Sequence, residues 1–503
     1  MIKCDNVNKD TFLTCNKCSI NDYYFQTMCL LYFPGEKFKE GFESDNFASF
    51  HLSEKGNRLF EARVTLSSGD KKATGEFCEL YEPTIPINEE FYAMNAVGKA
   101  FLEAGRRLFG FELPWGYITG LRPVKRAKFY LDRGYSAEQV IELFNRDYEV
   151  SLEKSTLSVE TALLQQKMLA NVKPNDCGLY VSIPFCPTRC DYCSFVSYSN
   201  QKLFSLIPEY LEKLMQDIRD TGEMIKNLGM NLKSVYIGGG TPSILEPDQI
   251  DRLLNCINQS VDISEDVEYT FEAGRPDTVT PEKLIAVKSG GVKRISINPQ
   301  TTSDKVLEKI GRKHTSAGFF EAANQAFGIG FDCINADLIA GLPEDSEETF
   351  RKSLEDVITL GFDNITVHTL SIKNAANIRY VGDGYYDPQG DFARESVKYA
   401  RARLKESGYA PYYLYRQKNT VGNAENTGYT KPGKENLYNV LMMEEHSTVF
   451  ACGAGSITKL VSPNRDEILR HAFPKYPFEY LRDNKPLGYE EAAAFFASVQ
   501  PKG

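Results

Sequence analysis

The sequence of 503 residues lacks any apolar run that approaches the roughly 20 residues of a membrane-spanning helix. Its first residues, MIKCDNVNKD, also lack the basic-then-apolar order of a secretory signal peptide. We therefore expect a cytoplasmic protein with reduced thiols and no membrane span. Positive charge is not in excess, because the formal net charge is −10. This balance argues against a nucleic-acid partner.

Histidine is scarce, with 5 residues, and none stands at ligand spacing beside the N-terminal pair Cys15 and Cys18. Cys4 and Cys29 flank that pair. Free thiols are the simplest interpretation of these four cysteines, and a zinc site is the alternative. Five other cysteines are scattered, and we expect them to pack as small hydrophobic residues in a reduced core. They are Cys78, Cys177, Cys256, Cys333 and Cys452.

Three cysteines stand closely spaced in the middle of the chain. Cys186, Cys190 and Cys193 form a C-x3-C-x2-C array, which a shuffled sequence with 12 cysteines would contain about 0.007 times. The array follows the strand-like run LYVSIPF, and Pro184 indicates that the chain leaves the sheet there. Three thiolates ligate three of the four irons of a cubane cluster, so one iron stays open to a small-molecule chelate. The spacing therefore predicts a metal site with one open coordination position, which suggests a catalytic role.

Between about 178 and 375, short β-rich runs alternate with longer amphipathic segments. Six βα units predict an α/β fold with a parallel sheet, in which ligands collect at the carboxyl ends of the strands. The predicted strands are LYVSIPF, SVYIGGG, VEYTFEAG, KRISINPQ, CINADLIAG and NITVHTLSI.

The two flanks differ from this core in composition. In the N-terminal part, YYFQTMCLLYF and RLFEARVTLSS have the pattern of strands, and residues 88–109 and 136–169 have helical periodicity. After 375, segments rich in Gly, Asn and Tyr predict long ordered loops, with a helix over 392–407 between them. We predict an N-terminal α+β or helical accessory domain over 1–170, a core over 171–375 and a small C-terminal domain over 376–503.

The segment from Tyr180 to Cys193 resembles the cluster loop of radical S-adenosylmethionine enzymes, in the branch of oxygen-independent coproporphyrinogen III oxidases. The resemblance implies a 4Fe–4S cluster and one or two S-adenosylmethionine molecules. It also implies that the core is a partial (β/α)6 barrel with an open side.

Further motifs follow the predicted strands. They are GGGTP at 238–242, Glu272 at the end of VEYTFEAG, Gln300 in RISINPQ, Arg312 in IGRKH and Asp337 in ADLIAGLP. The alternatives are an exposed acid for Glu272 and a surface ion pair for Arg312. The resemblance implies contacts with S-adenosylmethionine for nine residues: Tyr180, Tyr192, Gly239, Gly240, Thr241, Glu272, Gln300, Arg312 and Asp337. It assigns no catalytic residue.

The chain departs from the best-known oxidases of this branch at three places. Ser182 stands where histidine is usual, Asn298 and Pro299 replace the GV of GVQ, and Ser194 follows the third cysteine. The N-terminal segment PWGYITGLRP at 114–123 holds the only tryptophan. It resembles the signature of the long coproporphyrinogen dehydrogenases of the HemZ type.

This resemblance implies anaerobic oxidative decarboxylation of coproporphyrinogen III to protoporphyrinogen IX in haem biosynthesis, by a 5′-deoxyadenosyl radical. We expect a monomer that receives electrons from a low-potential donor such as ferredoxin or flavodoxin. The alternatives are a haem-binding delivery protein without oxidase activity and a radical enzyme acting on another tetrapyrrole.

A tetracarboxylate substrate also requires cations. The densest basic stretch either faces the propionates or forms a solvated helix face. It comprises Arg106, Arg107, Arg122, Lys125, Arg126, Lys128 and Arg133. Similarly, Tyr412, Tyr413 and Tyr415 either flank a macrocycle or serve in packing.

Overall fold

The structure is a computed structural model that describes most of the chain. The described residues are 2–6, 22–34, 36, 45–55, 59–80, 89–120, 122–193, 198–199, 201–372, 390–483 and 486–499. The chain divides into two compact units. The first unit comprises Met1–Ala162 and Arg416–Ala424, and the second comprises Leu163–Tyr415 and Glu425–Gly503. The three-domain division remains a prediction.

Within the described ranges, no helix combines the length and the apolar character that crossing a membrane requires.

The first unit pairs a four-stranded sheet with helices. Strand β1 runs parallel to β2, and the pairs β2–β3 and β3–β4 are antiparallel. Its described elements are β1 (Ile2–Asn6), α1 (Asp22–Cys29), β2 (Asn46–Lys55), β3 (Leu59–Ser68), β4 (Lys71–Leu80), α2 (Glu89–Phe109), α3 (Pro123–Leu131), α4 (Ala137–Tyr148) and the beginning of α5 (Leu152–Leu169).

Alternation of apolar residues fixes the buried face of this sheet. In β2, Ala48, Phe50 and Leu52 are buried at every second position, as the period of a strand requires. Helix α2 lies directly on β4, since a Cβ atom at Gly75 would stand 2.1 Å from the carbonyl oxygen of Ala100. The core of the first unit therefore lies between one sheet face and α2.

Two details of the N-terminal part differ from the sequence prediction. The run YYFQTMCLLYF was expected to be a strand, but residues 22–29 form helix α1. Phe25, Met28 and Cys29 are buried at three- and four-residue spacing, so the period of this run is helical. The predicted helix over 136–169 is two helices, because Glu149 adopts a left-handed conformation that ends α4.

Among its described residues, the second unit carries an eleven-stranded sheet in the order β11-β12-β10-β9-β8-β7-β6-β5-β13-β14-β15. The strands are β5 (Asp176–Ile183), β6 (Asn231–Gly239), β7 (Glu268–Gly274), β8 (Arg294–Ile297), β9 (Cys333–Ala340), β10 (Asn364–Thr369), β11 (Ala410–Tyr415), β12 (Asn426–Thr430), β13 (Thr448–Cys452), β14 (Ile457–Val461) and β15 (Ile468–Ala472). The helices are α6 (Gln201–Phe204), α7 (Ile207–Asn227), α8 (Pro247–Ser260), α9 (Pro281–Ser289), α10 (Asp304–Lys309), α11 (Ser316–Ile329), α12 (Glu347–Leu360), α13 (Asp391–Glu406), α14 (Leu437–Glu444), α15 (Pro477–Asp483) and α16 (Tyr489–Ser498).

Six parallel strands, β5 to β10, form the centre of this sheet, and helices follow them in alternation. The strands read as nearly continuous apolar runs because both of their faces are covered; all four residues of β8 are buried. These strands match the six predicted runs. The predicted α/β fold built on six βα units is thus confirmed.

The C-terminal part contains more sheet than its composition suggested. Helix α13 matches the predicted helix over 392–407. In contrast, strand β12 lies inside a Gly- and Asn-rich segment that was expected to be loop, and it pairs antiparallel with β10. The other predicted loop, IRYVGDGYYDPQGD, lies almost wholly outside the described residues.

The scattered cysteines behave as expected, with one exception. Cys177, Cys256, Cys333 and Cys452 are buried, and burial raises the pKa of the Cys452 thiol to about 12. Cys78 is exposed, so the expectation of core packing was wrong for this residue. Cys29 is buried, whereas Cys15 and Cys18 lie outside the described residues. The choice between free thiols and a zinc site there stays open.

Candidate active site at the ends of the parallel strands

The loop that carries the three closely spaced cysteines is pinned to its surroundings by backbone hydrogen bonds. The amide of Cys186 donates to the carbonyl oxygen of Tyr198 at 3.0 Å, and the amide of Tyr198 donates to Pro184 at 2.9 Å. Further along, the amide of Asp191 donates to Ile310 at 3.1 Å. Residues 184–193, the cysteine loop, are therefore fixed at both ends directly after β5.

Two of the three sulfur atoms accept hydrogen bonds from other strand ends. The hydroxyl of Thr241, after β6, donates to Cys186 Sγ at 3.3 Å. The Arg275 guanidinium, after β7, donates to Cys190 Sγ through Nη1 at 3.7 Å. Donors of this kind stabilise negative charge on sulfur and are typical of the surroundings of thiolate ligands.

The glycines of GGGTP allow close contact with this loop. The amide of Gly240 donates to Ile183 at 2.8 Å, and the amide of Thr241 donates to Phe185 at 2.8 Å. A Cβ atom at Gly240 would stand 2.6 Å from the Phe185 carbonyl oxygen and 3.0 Å from Cys186 Sγ. Only glycine lets the two segments approach this closely.

These observations test whether the loop fits an iron–sulfur cluster. No three His, Cys, Asp or Glu side chains in the described ranges are gathered tightly enough to hold a single metal ion. The cysteines of a cubane bind three different irons, however, so they need not converge on one point. The spacing, the two hydrogen bonds to sulfur and the space kept open at Gly240 fit such a cluster.

A stack of three tyrosines lies beside Glu272. The ring centroids of Tyr236 and Tyr438 are 4.4 Å apart, and Tyr180 is stacked with Tyr438 at 5.9 Å. A Cβ atom at Gly238 would stand 2.7 Å from Glu272 Oε2, so the glycine makes room for this carboxyl group. Burial, followed by the charge of Asp337, raises the pKa of Glu272 to about 8. Glu272 is only partly exposed, so the exposed acid considered as its alternative does not describe it fully.

Asp337 belongs to a polar group on β9 and β10. Its Oδ2 lies 3.7 Å from His368 Nε2, and Asn335 donates to its Oδ1 at 2.9 Å. Burial acts to raise the pKa of Asp337, but its interactions with His368 and Asn335 more than offset this, and the pKa lies below its usual value. Tyr415 in turn forms a hydrogen bond with His368 Nδ1 at 3.2 Å. Asp337 is thus held as a carboxylate.

Gln300 follows β8 with a φ of 66°, a conformation that few residues other than glycine adopt. Its amide donates to the Asp337 carbonyl oxygen at 2.9 Å, and its own carbonyl accepts from Ile339 at 3.0 Å. The side chain of Asn298 also accepts from the Asp337 amide at 3.2 Å. The Asn-Pro-Gln sequence, one of the departures noted above, is therefore tied to β9 through two bonds to Asp337.

Arg312 is buried, so the surface ion pair considered as its alternative role was wrong. Its guanidinium donates to the Tyr192 hydroxyl at 2.9 Å from Nη2 and at 3.2 Å from Nε. A third bond, at 3.2 Å, reaches the carbonyl oxygen of Asn298. Arg312 thereby joins the cysteine loop to the segment that follows β8.

The two remaining departures from the best-known oxidases are Ser182 and Ser194. Ser182 donates to the Ala454 carbonyl oxygen at 2.9 Å, and its own carbonyl accepts from Tyr210 at 2.8 Å. A serine in place of the usual histidine therefore attaches β5 to the segment GAGS at 453–456, which follows β13. Ser194 lies outside the described residues.

The basic stretch of the first unit is largely engaged in local contacts. Arg106 pairs with Glu149 at 2.5 Å and Lys128 pairs with Asp132 at 2.6 Å. Arg107 pairs similarly with Glu103. These partners favour the helix-face interpretation for the three cations.

The tyrosines of β11 divide between packing and the polar group. Tyr412 and Tyr413 are buried in a cluster with Leu169, Val440 and Leu441, so they serve in packing. Tyr415 differs, because its hydroxyl reaches His368.

Sequence reasoning assigned no role to five residues that the structure brings to the site. They are Tyr236, Arg275, Asn298, His368 and Tyr438. Tyr236 and His368 lie on predicted strands, and Arg275 directly follows one, so position alone could have marked them as candidates. For Tyr438 no local signal exists, since it comes from α14, far along the chain.

Known proteins resemble this chain in sequence and in fold. The Radical SAM superfamily matches residues 180–357. The oxygen-independent coproporphyrinogen-III oxidase-like protein HemZ of Bacillus subtilis is 34% identical over 475 residues, covering 92% of each chain. The heme chaperone HemW of the same bacterium is 32% identical over 281 residues, covering 55% of this chain and 69% of HemW.

Among solved structures, coproporphyrinogen III oxidase HemN of Escherichia coli aligns with a TM-score of 0.50 and 22% identity, covering 67% of this chain and 78% of HemN. At this identity the likeness concerns the fold.

Proposed function

The chain belongs to the HemZ-type branch of the radical SAM superfamily, and from this membership we propose that it oxidatively decarboxylates coproporphyrinogen III to protoporphyrinogen IX without oxygen. Membership implies a 4Fe–4S cluster and S-adenosylmethionine. The observation that carries the choice of substrate is the 34% identity with the oxidase-like HemZ over 92% of both chains. When bound, the two cofactors supply a 5′-deoxyadenosyl radical that abstracts a hydrogen atom.

In the overall reaction each of two propionate groups loses CO2 and becomes a vinyl group. One hydrogen atom passes to the radical and one further electron passes to an acceptor, so each propionate is oxidised by two electrons. The protein has to orient the reactants and exclude water.

We assign the three cysteines to the cluster. Cys186, Cys190 and Cys193 would ligate three irons, and the hydrogen bonds from Thr241 and Arg275 stabilise the negative charge on two of their sulfur atoms. The backbone of Gly239 and Gly240 stays accessible to the methionine part of S-adenosylmethionine, because no Cβ atom covers it.

The other predicted contacts surround the same strand ends. Glu272 offers a carboxyl group to the ribose hydroxyls, and Tyr180 contributes an aromatic surface beside it. Asp337 is a carboxylate acceptor held in place by His368 and Asn335, and Gln300 is fixed to it through the backbone. Arg312 and Tyr192 support the cysteine loop as a hydrogen-bonded pair.

The test is a product analysis under anaerobic conditions. The protein is reconstituted with iron and sulfide and incubated with dithionite, S-adenosylmethionine and coproporphyrinogen III. We expect tetrapyrrole products that have lost one and then two CO2 groups, together with 5′-deoxyadenosine. Cys186→Ala should abolish both products, and full turnover by this variant would refute the assignment.

A second function is favoured by the similarity to the heme chaperone HemW over 55% of this chain. In that case the protein would capture haem stoichiometrically and leave coproporphyrinogen III unchanged. Haem titration in the same reconstituted sample separates the two proposals. Vinyl-containing products decide for the oxidase, and tight haem capture without turnover decides for the carrier.

A further inference from the structure

Arg275 is a buried cation that contacts the cysteine loop, and no motif in the sequence marked it. It follows β7 directly and is only 3% exposed. Its Nη1 donates to the Thr188 hydroxyl at 2.8 Å, to the Thr188 carbonyl oxygen at 3.4 Å and to Cys190 Sγ at 3.7 Å. One guanidinium nitrogen therefore reaches both the loop backbone and a cluster ligand.

The other two guanidinium nitrogens are held by a single carboxylate. Nε donates to Asp277 Oδ1 at 2.8 Å, and Nη2 donates to Asp277 Oδ2 at 2.7 Å. This bidentate pair fixes the plane of the guanidinium, which lysine cannot reproduce. Asp277 thus determines where Nη1 points.

A purely structural clamp would require only the contacts with Thr188. The N–H···S contact adds a hydrogen bond to a ligand sulfur, and burial leaves the positive charge poorly screened. Hydrogen bonds to sulfur and local charge are two of the quantities that set the reduction potential of an iron–sulfur cluster. Both stabilise the reduced cluster, which is more negative than the oxidised one.

We propose that Arg275 is a positioning residue that raises the reduction potential of the cluster through Cys190. Asp277 orients the guanidinium toward Cys190, while its negative charge offsets part of the effect of the arginine charge. The inference rests on the cluster of the proposed function. It concerns electron uptake and is independent of which tetrapyrrole is the substrate.

Three substitutions separate hydrogen bond, charge and orientation. Arg275→Gln removes the charge and the fixed donor, and should make the midpoint potential more negative. Arg275→Lys keeps the charge but loses the bidentate geometry, so its potential should lie between those of Arg275→Gln and the wild type. Asp277→Asn keeps one oxygen acceptor for the guanidinium but removes the offsetting negative charge, so it should shift the potential in the opposite direction.

The chain contains a matched control. Arg219 Nη1 also lies 3.7 Å from a cysteine sulfur, that of Cys256, which is outside the cluster array. Arg219→Gln therefore removes a similar arginine–thiol contact and should leave the cluster potential unchanged.

The experiment uses the full chain, reconstituted anaerobically, and measures the iron content, the electron paramagnetic resonance spectrum and the midpoint potential by redox titration. For Arg275→Gln we expect the ratio of reduced to oxidised cluster at a fixed potential to fall about tenfold, which is about 59 mV for a one-electron couple. Equal potentials in Arg275→Gln, Asp277→Asn and the wild type, at equal iron content, would overturn the inference.

The remaining outcomes are also decisive. Arg275→Gln could bind too little iron to be titrated. The test then rests on Arg275→Lys, whose potential should be more negative than that of the wild type, and on Asp277→Asn, whose potential should be less negative. A wild-type protein that assembles no cluster contradicts the proposed function as well. An unshifted potential in protein that still forms vinyl products contradicts the role of Arg275 alone.

Discussion

At the residue scale, two carboxyl groups of the second unit experience opposite surroundings. Burial and the charge of Asp337 raise the pKa of Glu272 to about 8, whereas the interactions of Asp337 with His368 and Asn335 keep its own pKa below the usual value. Near neutral pH, Glu272 is therefore mostly protonated in the protein without ligands and Asp337 is ionised. Such a pair offers one hydrogen-bond donor and one acceptor.

The protonation of Glu272 predicts a pH-dependent effect on stability. Its pKa in the folded protein lies above the usual glutamate value of about 4.3, so the folded state binds the proton more tightly than the unfolded state. The stabilising contribution is full below about pH 4 and is lost as the pH rises through about 8. Glu272→Gln cannot ionise, so its stability relative to the wild type should increase by about 3 to 4 kcal/mol between pH 5 and pH 8.

Urea unfolding of the cluster-free protein at several pH values, followed by circular dichroism, measures this difference. Glu223→Gln, at an exposed position on α7, is the control and should show no such trend. A difference between Glu272→Gln and the wild type that stays constant with pH would contradict the pKa assignment.

At the element scale, helix α14 connects the far end of the chain to the tyrosine stack. Glu268, at the start of β7, accepts hydrogen bonds from the amides of Leu437 at 2.8 Å and Tyr438 at 3.0 Å. These are the first amides of α14, where a carboxylate also interacts favourably with the helix dipole. The buried Arg294 lies 3.7 Å from the same carboxylate. One acidic residue thus fixes the helix that presents Tyr438 to Tyr236.

Glu268→Ala should therefore loosen α14. The substitution leaves two amides and the Arg294 guanidinium without their shared acceptor, which costs about 2 to 4 kcal/mol. Hydrogen exchange of the peptide that contains Leu437 and Tyr438 should accelerate at least about tenfold, since 1.4 kcal/mol corresponds to one factor of ten. Ser136→Ala, which removes the capping box of α4 in the first unit, should cost about 1 kcal/mol and leave that peptide unchanged. Unaltered exchange in Glu268→Ala would show that α14 does not depend on Glu268.

The contact between GGGTP and the cysteine loop gives a second prediction at this scale. Gly240→Ala would place a Cβ atom 2.6 Å from the Phe185 carbonyl oxygen, so the loop must shift. We expect reconstituted protein to retain several-fold less iron and sulfide than the wild type. Gly328→Ala, in α11, meets no atom within 4 Å and should keep the full iron content while gaining up to about 1 kcal/mol of helix stability. Full cluster content in Gly240→Ala would refute the steric role of this glycine.

An element can be predicted from the sequence when the pattern that specifies it lies within that stretch of the chain. The strands from β5 to β10 were predictable because each is a short apolar run bounded by turn residues. Helix α1 was misassigned because its aromatic residues are typical of strands, although their spacing is helical. Strand β12 was missed because it is rich in polar residues, and its pairing with β10 is invisible in the sequence.

The same distinction applies to the site. Cys186 and Glu272 stand in local motifs, whereas the contact of Tyr438 with Tyr236 joins residues about 200 positions apart along the chain. Arg275 was adjacent to a motif, but its bond to Cys190 Sγ depends on how β7 lies beside the loop after β5.

At the scale of the whole molecule, the proposed cofactor residues all belong to the second unit, whereas the only tryptophan belongs to the first. The segment Arg416–Ala424 belongs to the first unit, although the residues on both sides of it belong to the second. Within the first unit, Arg416 is buried, donates to the Ile118 carbonyl oxygen and to Asn423 Oδ1, and lies 5.4 Å from the centre of the Trp115 ring. The segment Arg416–Ala424 thus contacts Trp115 and Ile118, which stand much earlier in the chain.

Trp115 therefore reports on the first unit and a reconstituted cluster reports on the second. Arg416→Met removes the guanidinium from its buried acceptors, and the Ile118 carbonyl oxygen and Asn423 lose a charge-assisted partner, which costs about 2 to 4 kcal/mol. The urea midpoint of the Trp115 fluorescence transition should fall, while the iron content and the visible absorbance of the cluster before unfolding stay at wild-type levels. Arg403→Met, at a partly exposed ion pair with Glu355 in the second unit, serves as the control and should change stability by less than about 1 kcal/mol. An unchanged Trp115 midpoint in Arg416→Met would contradict a stabilising role of this buried arginine in the first unit.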